Sequence, residues 1–390
     1  MVPQTWSPTF WILFNVLGLT ALAFWALVSF LDGAALRRYD RGVTRLILPT
    51  SPQRLITKDV YRLAFAALLK HLLAFTAWTT PLKAERQGFR LPRIEIDGQL
   101  NITAEDVHAF KNAAPSRNDN EGDPNTINPF FLVALTVPLT IQILASNSCP
   151  IKPLGAVNTR NVFKIHDPAL CRDARALQSR KYDYKAAFGG AENPGHRRKR
   201  GIEFCITIDI SLDGRPVLSQ DLWYLQFLPK GFEPRFVAET AAVKVESSIV
   251  DDVRQSKGQI LDLDMNAPKR WATCCKDYNP IHVSKMAARL FGFRSVIAHG
   301  NHVAALAFQQ LAVPDLSAGG NARHVARKLC WESELPFTID VSFSRPLLLP
   351  ARTNVHWSEI NGGSSGANFS VLARDKLCIS GSIHALSEES

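Results

Sequence analysis

The stretch Cys274–His302, CCKDYNPIHVSKMAARLFGFRSVIAHGNH, holds the residue types best suited to chemistry. Asp277 and His282 stand five positions apart. On a continuous helix that spacing turns the chain by about 500°, leaving the two side chains about 140° apart. Pro280 also disfavours a helical conformation at Asn279. The expectation is therefore a bent loop over 277–282 in which a carboxylate and an imidazole converge. Such a pair moves protons; the plain alternative is a pair that merely stabilises a surface turn. Ser284 is the expected N-cap of a following helix and Gly292 its C′ residue. A second helix should open near His299-Gly300, where glycine lets a substrate approach the backbone and the first N–H groups lack partners. The Gly300 N–H is thus the candidate donor to a carbonyl oxygen that gains negative charge. His299 reads equally as a packed or a functional residue. Cys274 and Cys275 read as inert core thiols rather than nucleophiles.

These residues need a scaffold, and composition bounds it. The chain has 390 residues, 46% hydrophobic and 21% charged, which makes it globular with two or three domains. Its formal charge of +10 suits an acidic partner such as anionic lipid, phosphate-bearing cofactors or an acidic carrier protein. No basic helix interleaved with aromatics is present, so nucleic acid is not expected. Seven scattered cysteines without a CxxC read as reduced thiols. No Cys/His clusters have zinc spacing, so no metal is expected. Phe10 to Leu31 carries no charge and is long enough to cross a bilayer core of about 30 Å. Arg37, Arg38, Arg41 and Arg45 follow it and place the body on the cytoplasmic or matrix side by the positive-inside rule. Residues 1–36 are therefore expected to be a single-pass anchor. Residues 37–89 read as a juxtamembrane amphipathic helical segment centred on Tyr61–Trp78, lying on the membrane or packed on the body.

The body divides into 90–235, a linker over 236–258, and 259–390. In the first part "RIEIDG" reads as a strand closed by Asp97-Gly98, Ser116–Asn128 as a loop, and Pro129–Ala145 as a buried helix kinked at Pro138. Gly155–Ile165 reads as a strand. Ile202–Leu228 reads as a hairpin turning at Asp213-Gly214. The stretch 167–201 carries many charges, and its basic run His196–Arg200 reads as a solvated loop that would alternatively bind an acidic carrier protein or the phosphates of CoA. The second part repeats the order of helix, strand and antiparallel strands, including a strand over Phe337–Ala351. This suggests two similar α+β units.

Asp277-x-Asn279-Pro280-x-His282, with Ala287, Phe291-Gly292, Ile297-Ala298-His299-Gly300 and Phe343–Pro350, resembles the motif of MaoC-like, R-specific enoyl thioester hydratases and (3R)-hydroxyacyl thioester dehydratases. The first half is similar, more faintly, to the degenerate first unit of their double-hotdog members. The resemblance implies an α+β double hotdog, two antiparallel sheets each wrapping a central helix, with the N-terminal transmembrane helix added. It also implies a hydro-lyase that interconverts trans-2-enoyl and (3R)-3-hydroxyacyl thioesters of CoA or acyl carrier protein. By that resemblance Asp277 and His282 activate water, Gly300 supplies the oxyanion donor, and Asn279 shapes the loop and helps hold water. His299 lies beside them. It implies one site per chain, no cofactor and no metal, and leaves a homodimer open. Two positions depart from the pattern: Lys276, usually glycine, and Asn301, often apolar. Lys276 favours the alternative reading, a catalytically inactive, membrane-associated acyl-binding hotdog protein.

Overall fold

Hydrophobic alternation along long strands, set against two nearly all-apolar helices, dictates the architecture. The computed structural model describes residues 36–386 except 41, 49, 74–81, 86–87, 116–124, 200, 229–257, 313–319 and 361–365. The first half runs β1 (Leu36–Asp40), β2 (Val43–Ile47), α1 (Thr57–Leu73), β3 (Lys83–Glu85), β4 (Gly88–Arg90), β5 (Arg93–Asn101), α2 (Ala104–Ala113), α3 (Phe130–Ala145), β6 (Ala156–Ile165), β7 (Lys181–Phe188), β8 (Gly195–Arg198), β9 (Gly201–Leu212) and β10 (Arg215–Phe227). The second runs β11 (Gln259–Leu263), α4 (Ala267–Cys275), α5 (Pro280–Val283), α6 (Lys285–Leu290), α7 (Gly300–Gln309), α8 (Gly320–Arg327), β12 (Phe337–Phe343), β13 (Ala351–Glu359), β14 (Gly366–Ala373) and β15 (Lys376–Ala385).

The expected pair of sheets is one continuous sheet, in the order β1-β2-β5-β7-β9-β10-β6-β12-β15-β14-β13-β11. The halves join edge to edge where β6 pairs antiparallel with β12, from Phe337 opposite Ile165 to Ser342 opposite Arg160. Each edge thereby satisfies the other's backbone groups. Arg160 grips Asp340 across the seam, Nη2 to Oδ2 at 2.5 Å and Nε to Oδ1 at 2.9 Å. A departure from all-antiparallel pairing lies at the edge, where β2 runs parallel to β5.

Each half buries one central helix. Phe130 at the start of α3 packs edge-on against Phe163 of β6 and Phe308 of α7, at ring-centroid distances of 5.3 and 5.1 Å. Phe308 in turn meets Phe369 of β14 and Trp357 of β13. Full burial of one such ring contributes roughly 1.5–3 kcal/mol. The helices are also tied by polar contacts: Nδ2 of buried Asn128 donates to the Ala305 carbonyl at 2.9 Å. Pro138 sits inside α3, and the helix continues through it.

Several sequence expectations needed correction. "RIEIDG" does not close at Asp97-Gly98; β5 runs on to Asn101 because Asp97 and Gly98 pair with Lys185 and Tyr184 of β7, and tertiary pairing overrides the turn preference. Residues 37–89 are not simply helical, since they hold β1 to β4 around α1. The charged stretch 167–201 contains β7 and β8. In β8 Arg198 pairs with Glu203, and Arg197 lies 5.1 Å from the Phe89 ring, so His196–Arg198 of that run is sheet rather than solvated loop. The strand expected over Phe337–Ala351 stops at Phe343, where Pro346 and Pro350 deny ladder donors. The hairpin is as expected: Asp213 and Gly214 both have positive φ, 51° and 77°, the combination a type I′ turn requires. All seven cysteines are buried free thiols. The expected anchor, Phe10–Leu31, lies outside the described residues, as does the linker except Gly258. Among the described residues no helix is long and apolar enough to cross a membrane.

Helix α1 packs Leu63 and Ala66 against Ala145 and Ile141 on the C-terminal half of α3. Its buried Lys70 donates through Nζ to the carbonyls of Leu144, at 2.5 Å, and Ser146, at 2.8 Å. A cation there satisfies orphan carbonyls and opposes the negative end of the helix dipole. Replacement Lys70→Met should lower unfolding free energy by about 2 kcal/mol, read from urea denaturation, because charged hydrogen bonds of this kind contribute about 1.5–3 kcal/mol.

Candidate active site

Helix α4 delivers the chain to the site. It ends at Lys276, which adopts the left-handed conformation with φ 56°, its N–H bonded to the Ala272 carbonyl at 2.9 Å. Glycine suits that conformation best, and a side chain there costs roughly 1–2 kcal/mol. The Lys276 ammonium does not turn to Asp277. It folds back onto the helix end and donates to the Thr273 carbonyl at 2.7 Å.

The next three residues form the bend. Oδ1 of Asp277 accepts from the Asn279 N–H at 3.1 Å, a local carboxylate turn. The Asn279 side chain caps the following turn, accepting from the Ile281 N–H at 3.4 Å. The loop expected over 277–282 is thus shorter than its sequence suggested, because Pro280 opens the helical turn α5 and His282 rides on it. Proline is well placed at a first helical position, where its missing N–H costs nothing. Ser284 caps α6 by accepting from the Ala287 N–H at 3.3 Å, and Gly292 follows with φ 86°, as the sequence predicts.

The turn brings the pair together. A carboxylate oxygen of Asp277, a ring nitrogen of His282 and one of His299 all lie within 4.8 Å of one another. One water spans such a gap with two bonds of about 2.8 Å. His282 Nδ1 lies 2.8 Å from the Ile297 carbonyl oxygen. A carbonyl only accepts, so Nδ1 carries a proton, and the tautomer this selects has its lone pair on Nε2. His299 stacks on His282 with centroids 3.7 Å apart. Its Nε2 donates to the Asp277 backbone carbonyl at 3.1 Å and lies 3.6 Å from Oδ2. Burial above all, then the neighbouring His282 and His302, holds the His299 pKa well below its usual value, so this ring is neutral. The three groups match a metal set by distance. Their geometry favours proton handling instead, because rings stacked face to face cannot both aim an in-plane lone pair at one ion.

Helix α7 supplies the opposite wall. His299 is its N-cap residue, Gly300 its first helical residue, and Val303 N–H closes the first turn onto the His299 carbonyl at 3.1 Å. The Gly300 N–H therefore has no acceptor within the helix. Its Cα is pressed against Phe343, where a Cβ would lie 2.4 Å from ring carbon Cε1. The approach to α7 is braced by the loop after β12: Ala298 N–H donates to Leu347 O at 2.9 Å, and Leu349 N–H to Val296 O at 3.0 Å. The structure thus gathers Asp277, His282, His299 and Gly300, with Asn279 shaping the bend.

Sequence reasoning missed the contribution of the first half. Asn161 of β6, fully buried, donates from Nδ2 to Oδ1 of Asn301 at 2.8 Å. The signal was "VNTRN" inside a strand, since asparagine is depleted there without a partner. His302 reaches the other way: its Nε2 donates to the Ala113 carbonyl of α2 at 2.8 Å while the ring stacks on Trp271. A cavity of about 520 Å³ near the β9–β10 turn, lined by Asp167, Arg180, Asp213 and Arg215 among others, contains none of these groups. Burial raises the Cys275 pKa well above the usual value and that of Cys274 to about 12, which leaves both unreactive.

Comparison with known proteins follows the same lines. Residues 244–325 match a family model described as a MaoC like domain. The chain is 24% identical over 305 residues to 3-hydroxyacyl-thioester dehydratase X of Mycobacterium tuberculosis, covering 76% of this chain and 90% of that protein. Among solved structures it is similar to HtdX of Mycobacterium tuberculosis, with a TM-score of 0.53, 19% identity, and coverage of 75% of this chain and 100% of that one. It is also similar to a MaoC-like dehydratase from Phytophthora capsici, with a TM-score of 0.54, 14% identity, and coverage of 77% and 96%. The architecture is the hotdog type of MaoC-like proteins.

Buried histidines make the fold sensitive to acid. Burial first, with Arg270 adding, holds the His302 pKa at about 4 against 6.5 in an open chain. Between those values the unfolded chain takes up a proton that the folded chain refuses, so stability falls as pH drops from about 6.5 towards about 4. Urea midpoints at about pH 7 and about pH 5 should show this loss, and His302→Gln, which keeps a donor without the titration, should show less of it.

Proposed function

We propose that this MaoC-like chain hydrates trans-2-enoyl thioesters and dehydrates (3R)-3-hydroxyacyl thioesters, with Asp277 and His282 sharing the reacting water. The observation that carries the reading is the His282 Nδ1 bond to the Ile297 carbonyl, because it leaves Nε2 as the basic nitrogen of a ring whose edge comes within 4.8 Å of the Asp277 carboxylate. In hydration Nε2 of His282 takes a proton from water as its oxygen bonds to C3. Asp277, entering the step as the carboxylic acid, delivers its proton to C2, and the resulting carboxylate recovers a proton from the His282 imidazolium, which closes the cycle. The Gly300 N–H, at the positive end of α7, stabilises the charge that builds on the thioester oxygen. Dehydration reverses each step. Asn279 holds the turn, and His299, neutral and stacked, fixes the His282 ring. The acyl group is carried by CoA or a carrier protein, and we assign the Phe10–Leu31 segment the role of membrane anchor, with the body on the cytoplasmic or matrix side.

The inactive alternative rested on Lys276. Its ammonium sits on the Thr273 carbonyl, and the left-handed backbone that the bend needs is kept. Nothing about it blocks Asp277, and Lys276→Gly should leave turnover unchanged.

The direct test follows loss of conjugated absorbance when purified protein meets crotonyl-CoA and longer enoyl-CoA. Asp277→Asn and His282→Ala should each lower kcat by about 10²–10⁴, the usual worth of proton transfer by a positioned group. Gly300→Ala should also lose activity, since its methyl group must displace Phe343. A wild-type rate equal to that of both variants would remove the proposal.

A further inference from the structure

The position after Gly300 is asparagine where an apolar residue is common, and the fold gives that asparagine an orientation. Asn301 is the second residue of α7, and side chains at a helix start lean back over its N-terminal end. That lean carries its amide toward the Gly300 end of the helix. The carbonyl end is already taken: Oδ1 accepts from Nδ2 of Asn161 at 2.8 Å. Asn161 is itself fixed, because its own Oδ1 accepts from Nδ2 of Asn158 at 2.9 Å.

Residues three apart on a strand normally face opposite sides. Here a β-bulge brings them together: Arg160 pairs with Trp223 but Asn158 pairs with Tyr224, so Thr159 is the extra residue. The row Asn158, Asn161, Asn301 thus has one sense, each Nδ2 donating to the next Oδ1. Its last donor is Nδ2 of half-buried Asn301, and among the described residues that atom has no acceptor.

We propose that Nδ2 of Asn301, oriented by Asn161 of the first half, is a second hydrogen-bond donor to the thioester carbonyl oxygen, beside the Gly300 N–H. The assignment rests on the acyl thioester reading above. It gives the degenerate first half a direct part in the chemistry, as the support that points the donor. A row of amides that served only to tie the halves together would need no donor left over at the site end.

The test compares two ligands that differ in one non-hydrogen atom. Butanoyl-CoA has the carbonyl oxygen; the thioether S-butyl-CoA lacks it. Calorimetry on the full chain should find that the wild type prefers butanoyl-CoA. Asn301→Ala should shrink that preference by about tenfold, the value of one hydrogen bond, while binding S-butyl-CoA as before. Asn161→Ala, which leaves Asn301 in place but unheld, should shrink it less, and it serves if Asn301→Ala does not fold. Equal weakening of both ligands in the variants, or an unchanged preference, overturns the assignment in favour of a purely structural bridge. These outcomes are separable from failure of the parent reading. A wild type that hydrates crotonyl-CoA through Asp277 but shows no effect of Asn301 sinks only the second donor. One that neither hydrates crotonyl-CoA nor prefers the carbonyl sinks both.

Discussion

The hydrogen bond between His282 Nδ1 and the carbonyl of Ile297 governs the candidate site. It sets where the imidazole proton sits and which edge of the ring is basic, and it holds the turn α5 against the stretch before α7. The acceptor is a backbone group, so its aim depends on how residues 296–298 are held. They are laddered to Leu347 and Leu349, about fifty residues on in the chain. The aim of the His282 ring therefore depends on a loop about fifty residues on in the chain, with Ser295 adding a hydroxyl bond to the Leu349 carbonyl.

The two walls of the site are supported from different directions. The bend carrying Asp277 and His282 hangs from the end of α4, whose Trp271 is buried against Phe110 of α2 and His302 of α7. The N-terminus of α7 is held by the first half, through Asn161 at Asn301, Ala113 at His302 and Asn128 at Ala305. These contacts are mostly buried and polar, and each would be costly to leave unmade. Fixed donors that need not reorganise during reaction are what electrostatic stabilisation of a developing charge requires.

Much of this was legible because it is local. Pro280, Ser284, Gly292 and Asp213-Gly214 each dictate a backbone conformation within a few residues, and those features stand where the spacing placed them. The convergence of Asp277 and His282 is local for the same reason. What escaped the sequence is what depends on partners far along the chain. Strand β5 runs past Asp97-Gly98 because β7 is waiting for it, β2 joins as a parallel edge, and β8 turns a basic run into sheet. The seam at β6 and β12 has no signature in either strand alone. Asn161 and Asn301 lie 140 positions apart, and neither announces the other. Lys276 shows the converse: residue type alone suggested interference with Asp277, and the side chain turns away from it to the Thr273 carbonyl.

The seam has one more consequence. Separate hotdog chains that joined through such an edge would part on dilution, and their shared machinery would fade with protein concentration. Here β6 and β12 belong to one polypeptide, so their pairing is an intramolecular event with a fixed effective concentration. Whatever the first half contributes to the second is supplied in a constant one-to-one ratio, however scarce the protein.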